Sequence, residues 1–209
     1  MKITFALYDD MTALDLVGPY QVLAMLPDAQ VSLAASTAGR KRTDSGMVIE
    51  AQVAFRDVPA PDIVVVPGTG RPQSPLADAP LLGWLAAVHP HTTWTASVCT
   101  GSLLLGAAGL LRGRRATSHW LALPALRDFG AKPVTERVVF DGRVVTAAGV
   151  SSGIDMALAL VARVAGEEVA QVIQLAIEYD PQPPFDAGAP HKAAPQVLVR
   201  ATQLLQAAP

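Results

Sequence analysis

The chain has 209 residues, 51% of them apolar and 16% charged, a balance that excludes a disordered chain and suffices for one well-buried domain. A formal charge of −2 without a basic run argues against nucleic acid and anionic membrane as partners. One cysteine excludes an internal disulfide framework and fits a reducing compartment.

The opening residues, MKITFALYDD, enter a strand pattern and meet acid at once, unlike a signal peptide. No apolar run reaches the length of a membrane span. The expectation is a soluble cytoplasmic protein. Residues 3–8 are short, apolar and β-rich, hence a buried strand. Residues 16–26 show helical spacing, and 30–36 return to strand. Residues 47–55 alternate, as an edge strand or hairpin does. Residues 62–68, DIVVVPG, form a β-branched run closed by Pro-Gly, a buried strand with a sharp end. Residues 79–88 are helical and 92–98 are a strand. Residues 102–111 are apolar on every side, so that helix is expected to be buried. Strands at 137–140 and 143–147 flank Asp141-Gly142, a strong hairpin signal. Helices follow at 151–165 and 167–177, broken at Gly166. Residues 180–190 are proline-rich and irregular, and 192–206 have the pattern of a last helix. Strands alternating with helices predict an α/β fold with a mainly parallel sheet covered on both faces, in a single domain spanning 1–209.

The lone cysteine lies in ASVCTGSLLL, where a central strand ends and a buried helix begins. That is the strand–turn–helix setting of a nucleophile elbow, and Gly101 leaves room for the bend. A helix N-terminus also favours a thiolate, so Cys99 is expected to be partly ionised at neutral pH. Ligands bind at the carboxyl ends of parallel strands. Pro67-Gly68-Thr69-Gly70 ends a strand at that edge, and its backbone N–H groups are candidates for an oxyanion hole. The plainer reading of Cys99 is a small buried hydrophobe. Asp15 has a plain reading too: Thr12 and Asp15 have capping-box spacing, or Asp15 is itself the N-cap, which would put Pro19 near the helix start. Thr100 in turn has a place in the first turn of the helix after the cysteine. No His, Asp or Glu cluster has metal-ligand spacing.

Together SVCTGSLLLGAAGLL, TALDLVGPYQVL, VVVPGTG and ATSHW resemble the ThiJ/PfpI superfamily, over residues 1 to about 186. Asp15 where many members have Glu, Thr100 where the peptidase-like members have His, and EYDPQPPFD after the last core helix are similar to its isocyanide hydratase branch. The resemblance implies a flavodoxin-like sandwich, a homodimer, and hydration of a small-molecule isocyanide to an N-substituted formamide with no cofactor. It implies Cys99 as the nucleophile on the terminal carbon and Asp15 as the proton carrier. It also implies Thr100 supporting the thiolate or a bound water, and the Val150 N–H facing the sulfur.

Two other readings stay open. Glyoxalase- or deglycase-like chemistry belongs to members that usually carry Glu in place of Asp15 and often His after the cysteine. Sensor domains of AraC-type regulators share TSHW-like residues, but no basic recognition segment is found before Pro209. A redox-sensing thiol is a further non-enzymatic reading. His119 lies in the TSHW segment with no acid near it in sequence, and the four histidines are read as structural.

Overall fold

The structure is a computed structural model that describes residues 1–207. Strands β1 (Lys2–Ala6), β2 (Gln30–Ala35), β5 (Val53–Ala54), β6 (Ile63–Val66), β7 (Trp94–Val98), β10 (Val138–Asp141) and β11 (Val144–Ala147) form one sheet in the order β10-β11-β7-β6-β1-β2-β5. Every neighbouring pair is parallel except β10–β11, the hairpin turned at Asp141-Gly142. Strand β6 is buried along its whole length, as a central strand covered on both faces must be. Proline at 67 cannot donate to the ladder and ends it.

Helix α1 (Ala13–Leu23) packs on α5 (Ser152–Ala165), and α5 on α6 (Glu167–Ala176). The first contact is close because Gly18 faces Ile154, and Gly153 fits between Val98 and Pro19. The short α2 (Gln73–Leu76), α3 (Ala79–Val88) and α4 (Gly101–Ala107) pack on one another. The buried core joins both sets to the sheet through Phe5, Val65, Leu85, Leu104, Met156 and Leu160. This is the α/β sandwich expected, with helices on both faces of a mainly parallel sheet.

Several local expectations shift. The 47–55 run is not one strand. Strand β4 (Val48–Ala51) pairs with β3 (Gly39–Arg42) in a separate antiparallel ribbon, and β5 alone joins the main sheet. Gln52 makes the change of partner, exchanging bonds with Leu33 of β2 through its backbone N–H and its side-chain Oε1. Helix α1 starts at Ala13 rather than 16, with Thr12 as N-cap, so Pro19 lies inside it rather than near its start. Helix α4 ends at Ala107 instead of running to 111 because Gly109 takes a left-handed conformation, φ +81°. The small pair β8 (Arg115–Ala116) and β9 (Lys132–Pro133), with a 3₁₀ stretch between them, has no counterpart in the sequence reading. Residues 180–190 carry no regular element, and α7 (Pro195–Ala207) follows them. Among the described residues no helix is long and apolar enough to cross a membrane.

Candidate active site

Cys99 follows β7 directly and holds φ +57°, a left-handed conformation that a non-glycine residue adopts at a cost of about 1–3 kcal/mol. Surrounding bonds hold it there. Its N–H donates to the carbonyls of Ala147 and Ala148, at 3.1 and 2.8 Å. Its own carbonyl accepts from the hydroxyls of Ser102 and Ser118, at 3.2 and 3.0 Å. Ser118 belongs to the TSHW segment, so one role of that motif is to fix the elbow. Gly101 is required by close approach: a Cβ there would lie 2.3 Å from the Val66 carbonyl oxygen.

Asp15 comes from the first turn of α1, is 0% exposed, and faces this elbow. Its Oδ2 accepts the Gly68 N–H at 2.8 Å. Its Oδ1 has no hydrogen-bond partner, and the Cys99 thiol lies beside the carboxyl. The two ends of the turn are clamped reciprocally, since the Thr12 N–H donates to the Gly68 carbonyl at 2.8 Å. Gly68 leaves no space for a side chain: a Cβ would stand 2.5 Å from the Thr100 nitrogen and 2.9 Å from Asp15 Oδ2.

Burial dominates the electrostatics. It pushes Asp15 up from 3.8 to about 7, against the Gly68 N–H and the Cys99 thiol, which both favour its ionised form; the Asp44 carboxylate adds to the rise. Burial also pushes the Cys99 thiol well above its ordinary value, and the Asp15 carboxylate adds to that rise. The N–H groups of Val150 and Thr100 point at the sulfur and favour the thiolate, but they do not offset burial. The expectation of a thiolate activated by a helix terminus is therefore corrected. Helix α4 has only 7 residues, Cys99 is 5% exposed, and desolvation wins. What the site holds instead is a coupled thiol–carboxyl pair whose carboxyl gives up its proton near neutrality, well before the thiol does, which leaves one proton between the two groups above it.

The other expected residues sort clearly. The Val150 N–H is near enough to the sulfur to favour its thiolate. The oxyanion-hole reading of Gly68 and Thr69 does not hold, because both N–H groups are already spent: Gly68 on Asp15, Thr69 on the Thr100 hydroxyl at 2.7 Å. That hydroxyl donates in turn to the Thr69 carbonyl at 2.7 Å, so Thr100 ties the β6 exit to the β7 elbow with its side chain, and its N–H serves the sulfur. Gly70 is exposed, and a Cβ there would meet nothing within 4 Å. Asp15 is not the N-cap; Thr12 holds that position but makes no side-chain cap, since its hydroxyl donates to Asp44 at 2.6 Å. His119 packs against Gly149, beside the Val150 turn, where burial keeps it below its ordinary pKa. Tyr179 of the EYDPQPPFD segment donates to Asp155 of α5 at 2.9 Å, and Asp155 also pairs with Arg137. Among the described residues no cluster of three His, Cys, Asp or Glu side chains is arranged to hold a metal.

Tyr8 was counted as strand core and is more than that. It is buried, and its hydroxyl donates to the Pro67 carbonyl at 2.5 Å, beside the pair. Burial above all, then Asp15, Cys99 and Asp44, raise its pKa and keep it neutral. Its place at the carboxyl end of β1, the edge where ligands gather, was the available signal.

The arrangement matches known proteins. Residues 1–163 match the model of the DJ-1/PfpI family. The chain is 41% identical to the isonitrile hydratase of Pseudomonas putida over 95% of this chain and 87% of that protein. A glutathione-independent glyoxalase of Caenorhabditis elegans is 30% identical over 66% of this chain and 75% of its own length. The crystal structure of a ThiJ/PfpI family protein from Pseudomonas syringae superposes with a TM-score of 0.95 at 36% identity, covering 98% of this chain and 86% of that one.

Proposed function

This chain belongs to the DJ-1/PfpI family, and from that premise we propose that it hydrates isocyanides, R–NC, to N-substituted formamides. The observation that carries the reading is the buried Asp15–Cys99 pair: one carboxyl oxygen is anchored by Gly68, the other has no partner, and the thiol lies beside the carboxyl. Isonitrile hydratase activity in the Pseudomonas putida relative supports it.

The chemistry needs one nucleophile and one proton at the same pH. The terminal carbon of an isocyanide accepts an electron pair. Sγ of Cys99 bonds to that carbon, and the pair's proton, held on Asp15 once sulfur attacks, passes to the same carbon. The product is a thioimidate, R–N=CH–S–Cys99. Water adds to its carbon after giving a proton to Asp15. That proton goes to nitrogen, the carbon–sulfur bond breaks, and the hydroxyl proton returns to the Asp15–Cys99 pair. R–NH–CHO leaves, so R–NC and water are the only net reactants. The N–H groups of Val150 and Thr100 hold the sulfur when it carries charge, at attack and at departure.

The enzyme acts as a homodimer in the cytoplasm. Leu14, Val17 and Tyr20, exposed on the turns of α1 around Asp15, supply an apolar face for the second copy. The test of function is direct: incubate the protein with a small isocyanide, follow formamide by NMR, and run methylglyoxal in parallel. Formamide production supports the reading. Loss of methylglyoxal without formamide overturns it in favour of glyoxalase chemistry.

A further inference from the structure

We propose that Tyr8 is a positioning residue that sets the acidity of Asp15 through the Pro67–Gly68 peptide group. The Tyr8 hydroxyl donates to the Pro67 carbonyl at 2.5 Å, and the Gly68 N–H donates to Asp15 Oδ2 at 2.8 Å. That carbonyl and that N–H are the two ends of one amide. A proton donor on the oxygen draws electrons along the conjugated O–C–N unit and leaves the N–H more positive. The Tyr8 hydroxyl thus strengthens the one backbone bond that stabilises the Asp15 carboxylate.

The amide that follows is pinned at both ends: the Gly68 carbonyl accepts from the Thr12 N–H, and the Thr69 N–H donates to the Thr100 hydroxyl. This holds the Gly68 end of the Pro67–Gly68 peptide in place. The absence of a side chain at Gly101 lets the elbow pack onto the Pro67 carbonyl, which a Cβ there would approach to 2.9 Å. The charged and titratable groups facing Asp15 are Cys99 from the elbow, Asp44 from the loop after β3, and Tyr8 itself. Behind Tyr8, a cavity of about 130 Å³ is lined by Asp9, Lys41 and Asp78 among others. Since Asp15, Cys99 and Asp44 all oppose ionisation of the phenol, Tyr8 remains a donor whenever the pair is active.

This inference deepens the proposed function, since Asp15 is its acid, but the test does not depend on turnover. The Asp15 carboxyl is titrated by ¹³C NMR in the intact protein, its signal assigned by its loss in Asp15→Asn. Tyr8→Phe is expected to titrate about 0.2–0.6 pH unit higher, the size that a 10–30% change in a charge-assisted hydrogen bond carries. A ring-fluorinated tyrosine at position 8 is a stronger donor and is expected to titrate lower. If the hydroxyl served only to fill and satisfy the core, its loss in Tyr8→Phe would cost stability at every pH and leave the titration in place. Coincidence of both curves with the unmodified protein, or movement of both in one direction, overturns the proposal. If Tyr8→Phe does not fold, the fluorinated protein alone decides: a lower value supports the relay and an equal or higher one refutes it. Absence of formamide production by the unmodified protein would refute the isocyanide reading while leaving the titration intact.

Discussion

Asp15→Asn separates the cost of the acid from its use. The folded protein holds this carboxyl at about 7, against 3.8 for a free one, because burial removes water from the charge. Below 3.8 both states carry the proton and no penalty arises. As pH rises from there, the unfolded chain ionises first, so folding stability falls until the folded carboxyl also ionises. At about 1.4 kcal/mol per pH unit, the full penalty is about 4 kcal/mol above neutrality, and about 3 kcal/mol of it accrues between pH 5 and 8. Asn keeps an oxygen for the Gly68 N–H and cannot ionise. The assay is urea unfolding of both proteins across that range, read as the difference in stability. Asp15→Asn is expected to gain on the unmodified protein by about 3 kcal/mol from pH 5 to 8. His89 and His119, both held below their ordinary values by burial, are present in each protein and cancel in the difference. A difference that stays flat with pH would refute the reasoning, because it would mean that Asp15 ionises in the fold as easily as in water.

Cys99→Ala is expected to fold and to lose all turnover; residual activity in the formamide assay would exclude a covalent thioimidate. The pH midpoint of iodoacetamide alkylation at Cys99 is expected to fall in Asp15→Asn, since the carboxylate is one cause of the thiol's raised pKa; an unchanged midpoint would show the two groups to be uncoupled. Gly68→Ala, whose Cβ would meet the Thr100 nitrogen at 2.5 Å, is expected to disrupt the pair and cut turnover by about a hundredfold or more, the lower scale of acid–base catalysis. Gly70→Ala, in open space, is expected to be silent in the same assay, and equal losses from both glycines would restore an oxyanion role to the whole turn.

The layered fold was legible because it rests on periodicity and on solid apolar strands. DIVVVPG reads as a buried strand with a sharp end, and β6 is one. The elbow was legible for the same reason: a lone thiol between such a strand and a leucine run has few other places to be. The protonation state of that thiol was not legible. It depends on how much water the surrounding layers exclude and on a carboxyl 84 positions away in sequence, Asp15. The roles of Gly68 and Thr69 failed for a related reason. A Pro-Gly-Thr-Gly turn shows that N–H groups are present, but not that Asp15 and Thr100 have already taken them. The split of residues 47–55 between two sheets turns on the side chain and backbone of Gln52, which alternation alone does not reveal.

The start of α1 shows what the molecule gives up for its site. Thr12 and Asp15 have the spacing of a capping box, a device whose loss costs a helix about 1 kcal/mol. Neither side chain uses it. Thr12 turns outward to Asp44, and Asp15 turns inward to Gly68 and the thiol. A carboxyl kept only to cap a helix would stay at the surface, where its charge costs nothing. This one is buried to 0% exposure, forgoes the cap, and adds a penalty of about 4 kcal/mol at neutral pH and above. Stability does not explain such a residue. A requirement for a proton donor beside a sulfur nucleophile does, because only a desolvated acid keeps its proton near pH 7. The position of Asp15 is therefore itself an argument that the pair is chemical rather than architectural, and the slope of the Asp15→Asn comparison measures how much stability that chemistry costs.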